Sequence, residues 1–90
     1  MKTLEVHYEG RVQGVGFRAM VKSEARGYEV AGRVSNLPDG RVRLLASGED
    51  TEVDAFLEGI RKSPLAGHIR LETSAETRRP EGLRGFHIDP

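Results

Sequence analysis

A short turn in the middle of the chain constrains the fold more than any other feature. Leu37-Pro38-Asp39-Gly40 places proline at the second turn position and glycine where the chain leaves the turn. Apolar and polar residues alternate on both sides of it, which is typical of strands with one buried face. Residues 30–47 therefore predict an antiparallel β-hairpin, and a wholly parallel sheet is excluded.

Changes of hydrophobic period on either side of the hairpin predict the other elements. A first strand precedes a helix that begins at Phe17 and stops at a left-handed Gly27. A second helix, capped by Asp50 or Thr51, ends before Pro64, and two more strands follow. The apolar residues that define these elements are, in chain order, Leu4, Val6 and Tyr8; Phe17, Met20, Val21 and Ala25; Val30, Gly32 and Val34; Val42, Leu44 and Ala46; Val53, Phe56, Leu57 and Ile60; Ile69 and Leu71; and Phe86 and Ile88.

The element order β-α-β-β-α-β predicts a ferredoxin-like α+β sandwich, with residues 1–90 as one domain. We expect an antiparallel sheet of order 4-1-3-2, a short C-terminal strand at its edge, and both helices on one face. Strands 1 and 2 then run in the same direction, so their C-terminal ends share one edge of the sheet. A site is expected there, between the loop at 11–17 and Asn36.

Composition excludes several classes of function. The 90 residues carry 14 basic and 14 acidic side chains, which disfavours a protein that holds nucleic acid or a membrane surface by bulk charge. The absence of cysteine excludes disulfides, thiolate metal sites and a thiol nucleophile. No apolar run is long enough to span a membrane, and the polar N-terminus is unlike a signal peptide, so we expect a cytoplasmic domain. Arginine outnumbers lysine by 11 to 3, which is compatible with codon bias, stability or anion steering.

The segment Gly10-Arg11-Val12-Gln13-Gly14-Val15-Gly16-Phe17-Arg18 joins the first strand to the first helix. Its glycines allow successive N–H groups to point inward as an anion-binding nest, and the start of the helix adds further unpaired N–H groups. Arg18, in the first helical turn, can bind two phosphate oxygens at once. The segment therefore favours phosphate binding, and the alternative is a tight turn beside a solvated arginine.

Three better-known patterns do not fit. Gly14-x-Gly16-x-x-Ala19 matches the dinucleotide-binding spacing, but that fold needs a larger parallel sheet. The loop of nucleotide hydrolases ends in Gly-Lys-Ser/Thr, whereas this loop ends in Gly16-Phe17-Arg18. Arg26-Gly27-Tyr28 resembles the start of an RNA-recognition signature but follows a helix rather than lying on the third strand.

No metal site is predicted. His7, His68 and His87 lie on different strands without ligand spacing, although strands 1 and 4 could bring the first two near each other. The acidic residues from Glu49 to Glu58 lack the pattern of a calcium loop and suit the start of a helix instead.

The loop and a second motif together resemble the acylphosphatase family. Gly32-Arg33-Val34-Ser35-Asn36 and Asp39-Gly40-x-Val42 follow the loop at the family's spacing, and Gly85-Phe86-His87-Ile88 extends the resemblance over essentially the whole chain. The resemblance implies the ferredoxin-like fold and hydrolysis of carboxyl-phosphate anhydrides without a metal or cofactor. An acyl phosphate has a good leaving group, so positioning and charge stabilisation matter more than a nucleophile.

Carried over by motif, the resemblance implies that Arg18 binds the phosphate and Asn36 orients the attacking water. The implied phosphate-binding residues are Gln13, Gly14, Val15, Gly16, Phe17 and Arg18. Two positions depart from the family pattern. Glu29 stands where a glycine is usual, and Arg33 where an aromatic residue or threonine is common.

We therefore predict a monomeric acylphosphatase that acts on a small acyl phosphate and binds neither nucleic acid nor membrane. Two alternatives stay open. The first is a non-catalytic phosphate-sensing module, which would keep the loop but need not keep Asn36. The second is a domain that handles carbamoyl phosphate, like the N-terminal region of hydrogenase-maturation carbamoyltransferases. The sequence does not specify the physiological acyl group.

Overall fold

A computed structural model describes all 90 residues as five strands, two α-helices and one 3-10 turn. The elements are β1 (Lys2–Gly10), α1 (Phe17–Ala25), β2 (Val30–Asn36), β3 (Val42–Gly48), α2 (Asp50–Arg61), the 3-10 turn Ala66–His68, β4 (Ile69–Glu76) and β5 (Phe86–Ile88). This is the predicted order, and the ferredoxin-like α+β class is confirmed.

The sheet has the strand order β4-β1-β3-β2-β5. Because β3 pairs antiparallel with both β1 and β2, those two strands run in the same direction. Their last residues, Gly10 and Asn36, consequently lie at the same edge of the sheet. The loop after β1 and the end of β2 therefore meet at the edge of the sheet where the site is predicted.

The prediction of a wholly antiparallel sheet is wrong at β5, which pairs parallel to β2. The connection at residues 77–85 leaves β4 at one side of the sheet and reaches β5 at the other. Since β4 is antiparallel to β1, it ends at the edge opposite the predicted site, and β5 starts from that edge. The C-terminal end of β5 thus arrives beside Asn36.

The hairpin turn forms as predicted. The amide N–H of Gly40 donates to the carbonyl of Leu37 at 3.1 Å, and Gly40 has φ of 95°, a conformation that disfavours a side chain. β2 and β3 are in continuous register from Val30 opposite Gly48 to Asn36 opposite Val42. This register fixes where Asn36 stands.

Both helices pack on one face of the sheet over a core that includes residues from five of the seven predicted apolar stripes. The stripes of the last two strands are not part of this core, because Ile69 and Phe86 only pack against it and Leu71 and Ile88 are exposed. Phe56 of α2 is fully buried, and its ring lies 5.9 Å from that of Tyr28 and 5.7 Å from that of Phe86. The buried core residues are Leu4, Val6, Tyr8, Val12, Phe17, Val21, Ala25, Val34, Val42, Leu44, Ala46, Val53, Phe56, Leu57 and Ile60. Neither helix is long and apolar enough to cross a membrane.

The predicted start of α1 at Phe17 and the end of α2 before Pro64 are confirmed, but the left-handed stop at Gly27 and the cap at Asp50 or Thr51 are wrong. Gly27 does not have a positive φ, because α1 ends at Ala25 in a tighter turn in which the N–H of Gly27 donates to the carbonyl of Glu24 at 3.1 Å. At the start of α2, Asp50 is already helical and Glu49 occupies the capping position without a side-chain hydrogen bond. The acidic residues of this first turn, Asp50 and Glu52, instead stabilise the helix through their interaction with its dipole.

Candidate active site

The loop between β1 and α1 presents a run of unpaired backbone donors. Gly14 and Gly16 have φ of 77° and 83°, a left-handed conformation that glycine adopts without strain. None of the amide N–H groups from Val12 to Ala19 donates to an acceptor within the protein. Gly16 caps α1, and the first turn of this helix carries no acidic residue. The loop can therefore bind an anion through its backbone.

Arg18 is held in place by the C-terminal segment. Its Nη1 donates to the backbone carbonyl of Asp89 at 2.6 Å, although the two residues are 71 positions apart. The amide N–H of Asp89 in turn donates to the carbonyl of Val34 at 2.9 Å, and this hydrogen bond fixes Asp89 against β2. The alternative of a freely solvated Arg18 is excluded, because the side chain is half-buried and anchored.

Asn36 ends β2 with its side chain in the same cleft as Arg18. Its Oδ1 is buried and has no hydrogen-bond partner in the protein. Buried polar atoms are nearly always paired, with protein or with water, and leaving one unpaired is costly. The position therefore suits an acceptor for a hydrogen bond from a water or substrate group.

Gln13 ties the loop to the hairpin turn. Its Nε2 donates to the carbonyl of Leu37 at 2.8 Å and to that of Arg41 at 2.9 Å. With both side-chain protons directed at the hairpin, only the backbone N–H of Gln13 stays free for an anion. These two hydrogen bonds hold the loop close to the end of β2.

A cleft of about 200 Å³ collects most of these groups. It is lined by Val12, Gly14, Gly16, Phe17, Arg18, Ala19, Asn36 and Ile88. Of the predicted site residues, Gln13 and Val15 belong to the loop but do not line this cleft. Ile88 as a lining residue and the Asp89 carbonyl as the anchor of Arg18 were not predicted from the sequence. No local pattern marks either, because both depend on how β5 packs beside β2.

Packing beneath the loop fixes the start of α1. The rings of Phe17 and Tyr8 are both buried, and their centroids lie 5.2 Å apart. Burial raises the pKa of the Tyr8 phenol, and the nearby carboxylate of Glu72 raises it further. Tyr8 is therefore a neutral part of the core below the site.

No group of three or more His, Cys, Asp or Glu side chains converges anywhere in the structure. Two of the three histidines instead contact backbone carbonyls. His68 Nδ1 lies 3.1 Å from the carbonyl of Arg11, and His87 Nε2 lies 2.6 Å from that of Arg84. The cleft therefore offers an anion backbone donors, one anchored guanidinium and one carboxamide.

A small ferredoxin-like α+β domain with a backbone anion cradle is the class of protein that this fold and cleft define. The family model described as Acylphosphatase matches residues 4–88. An acylphosphatase of Bacillus velezensis is 44% identical over 80 residues, which cover 89% of each chain. The crystal structure of acylphosphatase from Bacillus subtilis superposes with a TM-score of 0.88 at 37% identity and covers 100% of both chains.

The chain belongs to the acylphosphatase family. Members of this family are hydrolases that act on the acid anhydride of acyl phosphates. The fold also matches HypF from Thermococcus kodakarensis, with a TM-score of 0.87 at 30% identity. That match covers 100% of this chain but 12% of HypF, whereas the two acylphosphatases match over most or all of their length.

Proposed function

We propose that this enzyme hydrolyses small acyl phosphates in the cleft between the β1–α1 loop and the end of β2. The phosphoryl group lies against the loop amides, and the guanidinium of Arg18 binds its oxygens. Asn36 holds the attacking water. No metal or cofactor takes part in this scheme.

The reaction is a water attack at phosphorus. The water oxygen bonds to phosphorus, the bond from phosphorus to the carboxylate oxygen breaks, and one proton is released with carboxylate and inorganic phosphate. The leaving carboxylate needs no general acid, and the charge of the transferring group lies mainly on its equatorial oxygens. Donors fixed in advance around those oxygens therefore supply most of the catalysis.

The observation that carries the proposal is the convergence of available hydrogen-bond donors and one unpaired acceptor on one cleft. The donors for an anion are the free N–H groups of the loop residues that line the cleft and the guanidinium N–H groups of Arg18 that do not contact Asp89. The buried Oδ1 of Asn36 is an acceptor, which suits water better than phosphate. An anion beside an oriented water is the arrangement that hydrolysis requires.

The test is release of phosphate from benzoyl phosphate and acetyl phosphate by the wild type and by Arg18→Lys. Lysine keeps the positive charge but lacks the planar fork, and it cannot keep both the Asp89 contact and two phosphate contacts. Losing one charge-assisted hydrogen bond costs roughly 1.5–3 kcal/mol, so kcat/KM should fall by roughly 10- to 150-fold. The inhibition constant of inorganic phosphate should rise by a similar factor.

Arg26→Lys is the matched control, because Arg26 is an exposed arginine just after the same helix and makes no ion pair. It should leave both constants unchanged. Turnover should also survive extensive chelation. Phosphate binding without turnover would favour the phosphate-sensing alternative, and unchanged phosphate inhibition in Arg18→Lys would remove Arg18 from the site.

We also propose that the enzyme works as a monomer, since every group of the proposed site comes from one chain. Equal specific activity over a wide range of protein concentration would support this. Activity that falls on dilution would contradict it. The cytoplasmic location expected from the sequence stays a prediction.

A further inference from the structure

The face of the sheet opposite the helices carries a second cleft, of about 230 Å³, away from the proposed active site. No helix covers this outer face. The cleft is lined by Glu5, Arg33, Arg43, Leu45, Thr77, Arg78 and Pro80. The register explains the grouping of two arginines. Arg33 faces Leu45 across β2 and β3, while Arg43 faces Ser35, so the two arginines are diagonal neighbours, roughly 7–8 Å apart.

The three arginines that line this cleft have neither an ion pair nor a side-chain hydrogen bond within the protein, so their guanidinium groups are free to bind a ligand. Arg33, Arg43 and Arg78 make no ion pair, whereas Arg41, Arg61 and Arg70 each pair with a carboxylate. Glu5, the one carboxylate in the cleft, lies diagonal to Arg43 and makes no ion pair either. The cleft thus holds three positive side chains against one negative one in a chain with no net charge. Such a concentration of one sign raises the local concentration of anions.

We propose that this outer cleft binds a small multivalent phosphate, such as a di- or triphosphate. Guanidinium groups bind phosphate oxygens in pairs, and two that project from adjacent strands can contact neighbouring phosphates. Arg78 follows β4 and reaches the same cleft from the segment that crosses the sheet, which closes a third side. The site is separate from the active-site cleft, with which it shares no lining residue.

A nucleic acid fits this surface less well than a small anion. Sheet surfaces that bind single-stranded RNA stack the bases on aromatic side chains. All five aromatic residues of this chain belong to the helix side, where they form the core or pack against it: Tyr8, Phe17, Tyr28, Phe56 and Phe86. Phosphate contacts alone remain available on the outer face.

The test is a titration of isotope-labelled protein with inorganic triphosphate at low salt, followed by amide NMR shifts. We expect shifts at Arg33, Arg43 and Leu45 that fit one dissociation constant, separate from any at Gly14 and Gly16. Each exposed charge contact should change the affinity for triphosphate by a factor of roughly two to five. The triple variant Arg33→Gln, Arg43→Gln, Arg78→Gln should therefore weaken outer binding about tenfold.

Two further variants keep the result interpretable. Arg26→Gln, Lys62→Gln, Arg84→Gln makes the same charge change at residues outside the cleft, and it should alter the affinity by less than about twofold. Glu5→Gln removes the one negative side chain, so binding should tighten by roughly two- to fivefold, a gain that misfolding cannot produce.

Three results would overturn the proposal. One is an equal loss of affinity in the control triple variant, which would show a bulk charge effect. Another is a set of shifts confined to the β1–α1 loop. The third is tighter binding of a single-stranded oligonucleotide than of triphosphate, which would assign the cleft to nucleic acid.

Discussion

Asn36→Ala should separate catalysis from phosphate binding. In the proposed mechanism the carboxamide contacts the attacking water, while the loop amides and Arg18 contact the phosphoryl group. Alanine removes only the first of these interactions. It also removes the buried Oδ1, which has no protein partner, so no hydrogen bond within the protein is lost.

The expected magnitude follows from these contacts. Removing one preorganised polar group from an active site costs roughly 10²–10³ in turnover, or about 2.7–4 kcal/mol. The backbone pairing of Asn36 opposite Val42 stays intact, so the free energy of unfolding should change by less than about 1 kcal/mol. The inhibition constant of inorganic phosphate should change by less than about threefold, or roughly 0.7 kcal/mol.

The assay compares kcat for benzoyl phosphate with the inhibition constant of phosphate, in protein shown by chemical denaturation to be folded. Asn36→Asp, nearly the same shape, adds a negative charge near the anion and should weaken phosphate binding by about tenfold or more. Thr51→Ala, at an exposed position on α2, serves as the neutral control. Near-normal turnover in Asn36→Ala would refute the role of Asn36 in water attack. A parallel loss of phosphate affinity would instead make Asn36 part of the cradle.

Two further changes test the support of the site. Gly16→Ala should cost about 1–2 kcal/mol of stability and reduce phosphate affinity, because alanine is strained at φ of 83°. Gly27→Ala is the control and should not lower the free energy of unfolding, because φ is not positive there. Chemical denaturation of both variants measures the difference. Tyr8→Phe should cost little at neutral pH, since the buried hydroxyl has no partner. Because burial raises the pKa of Tyr8 above its unfolded value of about 10, stability in the wild type is retained below that pH and lost as the pH rises beyond it. Tyr8→Phe should therefore flatten the alkaline loss of stability measured by denaturation, and an unchanged slope would contradict the assigned cause.

Much of the fold could be predicted from local sequence patterns, because those patterns act through short-range physical interactions. Alternation at Leu4, Val6 and Tyr8 predicted a strand with its inner face buried, and helical spacing predicted the buried stripe of α2. The turn at Leu37–Gly40 was predictable because a proline and a left-handed glycine determine backbone angles without help from distant residues. The glycine-rich loop was likewise visible as a potential anion nest, since its conformation depends on the absence of side chains.

Long-range packing decided the rest. The direction of β5 follows from where β4 ends and which way the connection crosses the sheet, so no pattern within Phe86–Ile88 could reveal a parallel pair. The carbonyl of Asp89 anchors Arg18 only because β5 packs beside β2, and the outer arginine cleft forms only because register makes Arg33 and Arg43 neighbours. Even the helix ends were decided this way, with Glu49 rather than Asp50 or Thr51 at the cap. Capping and turn preferences differ by about 1 kcal/mol, and burial of Phe56 and its neighbours outweighs that difference.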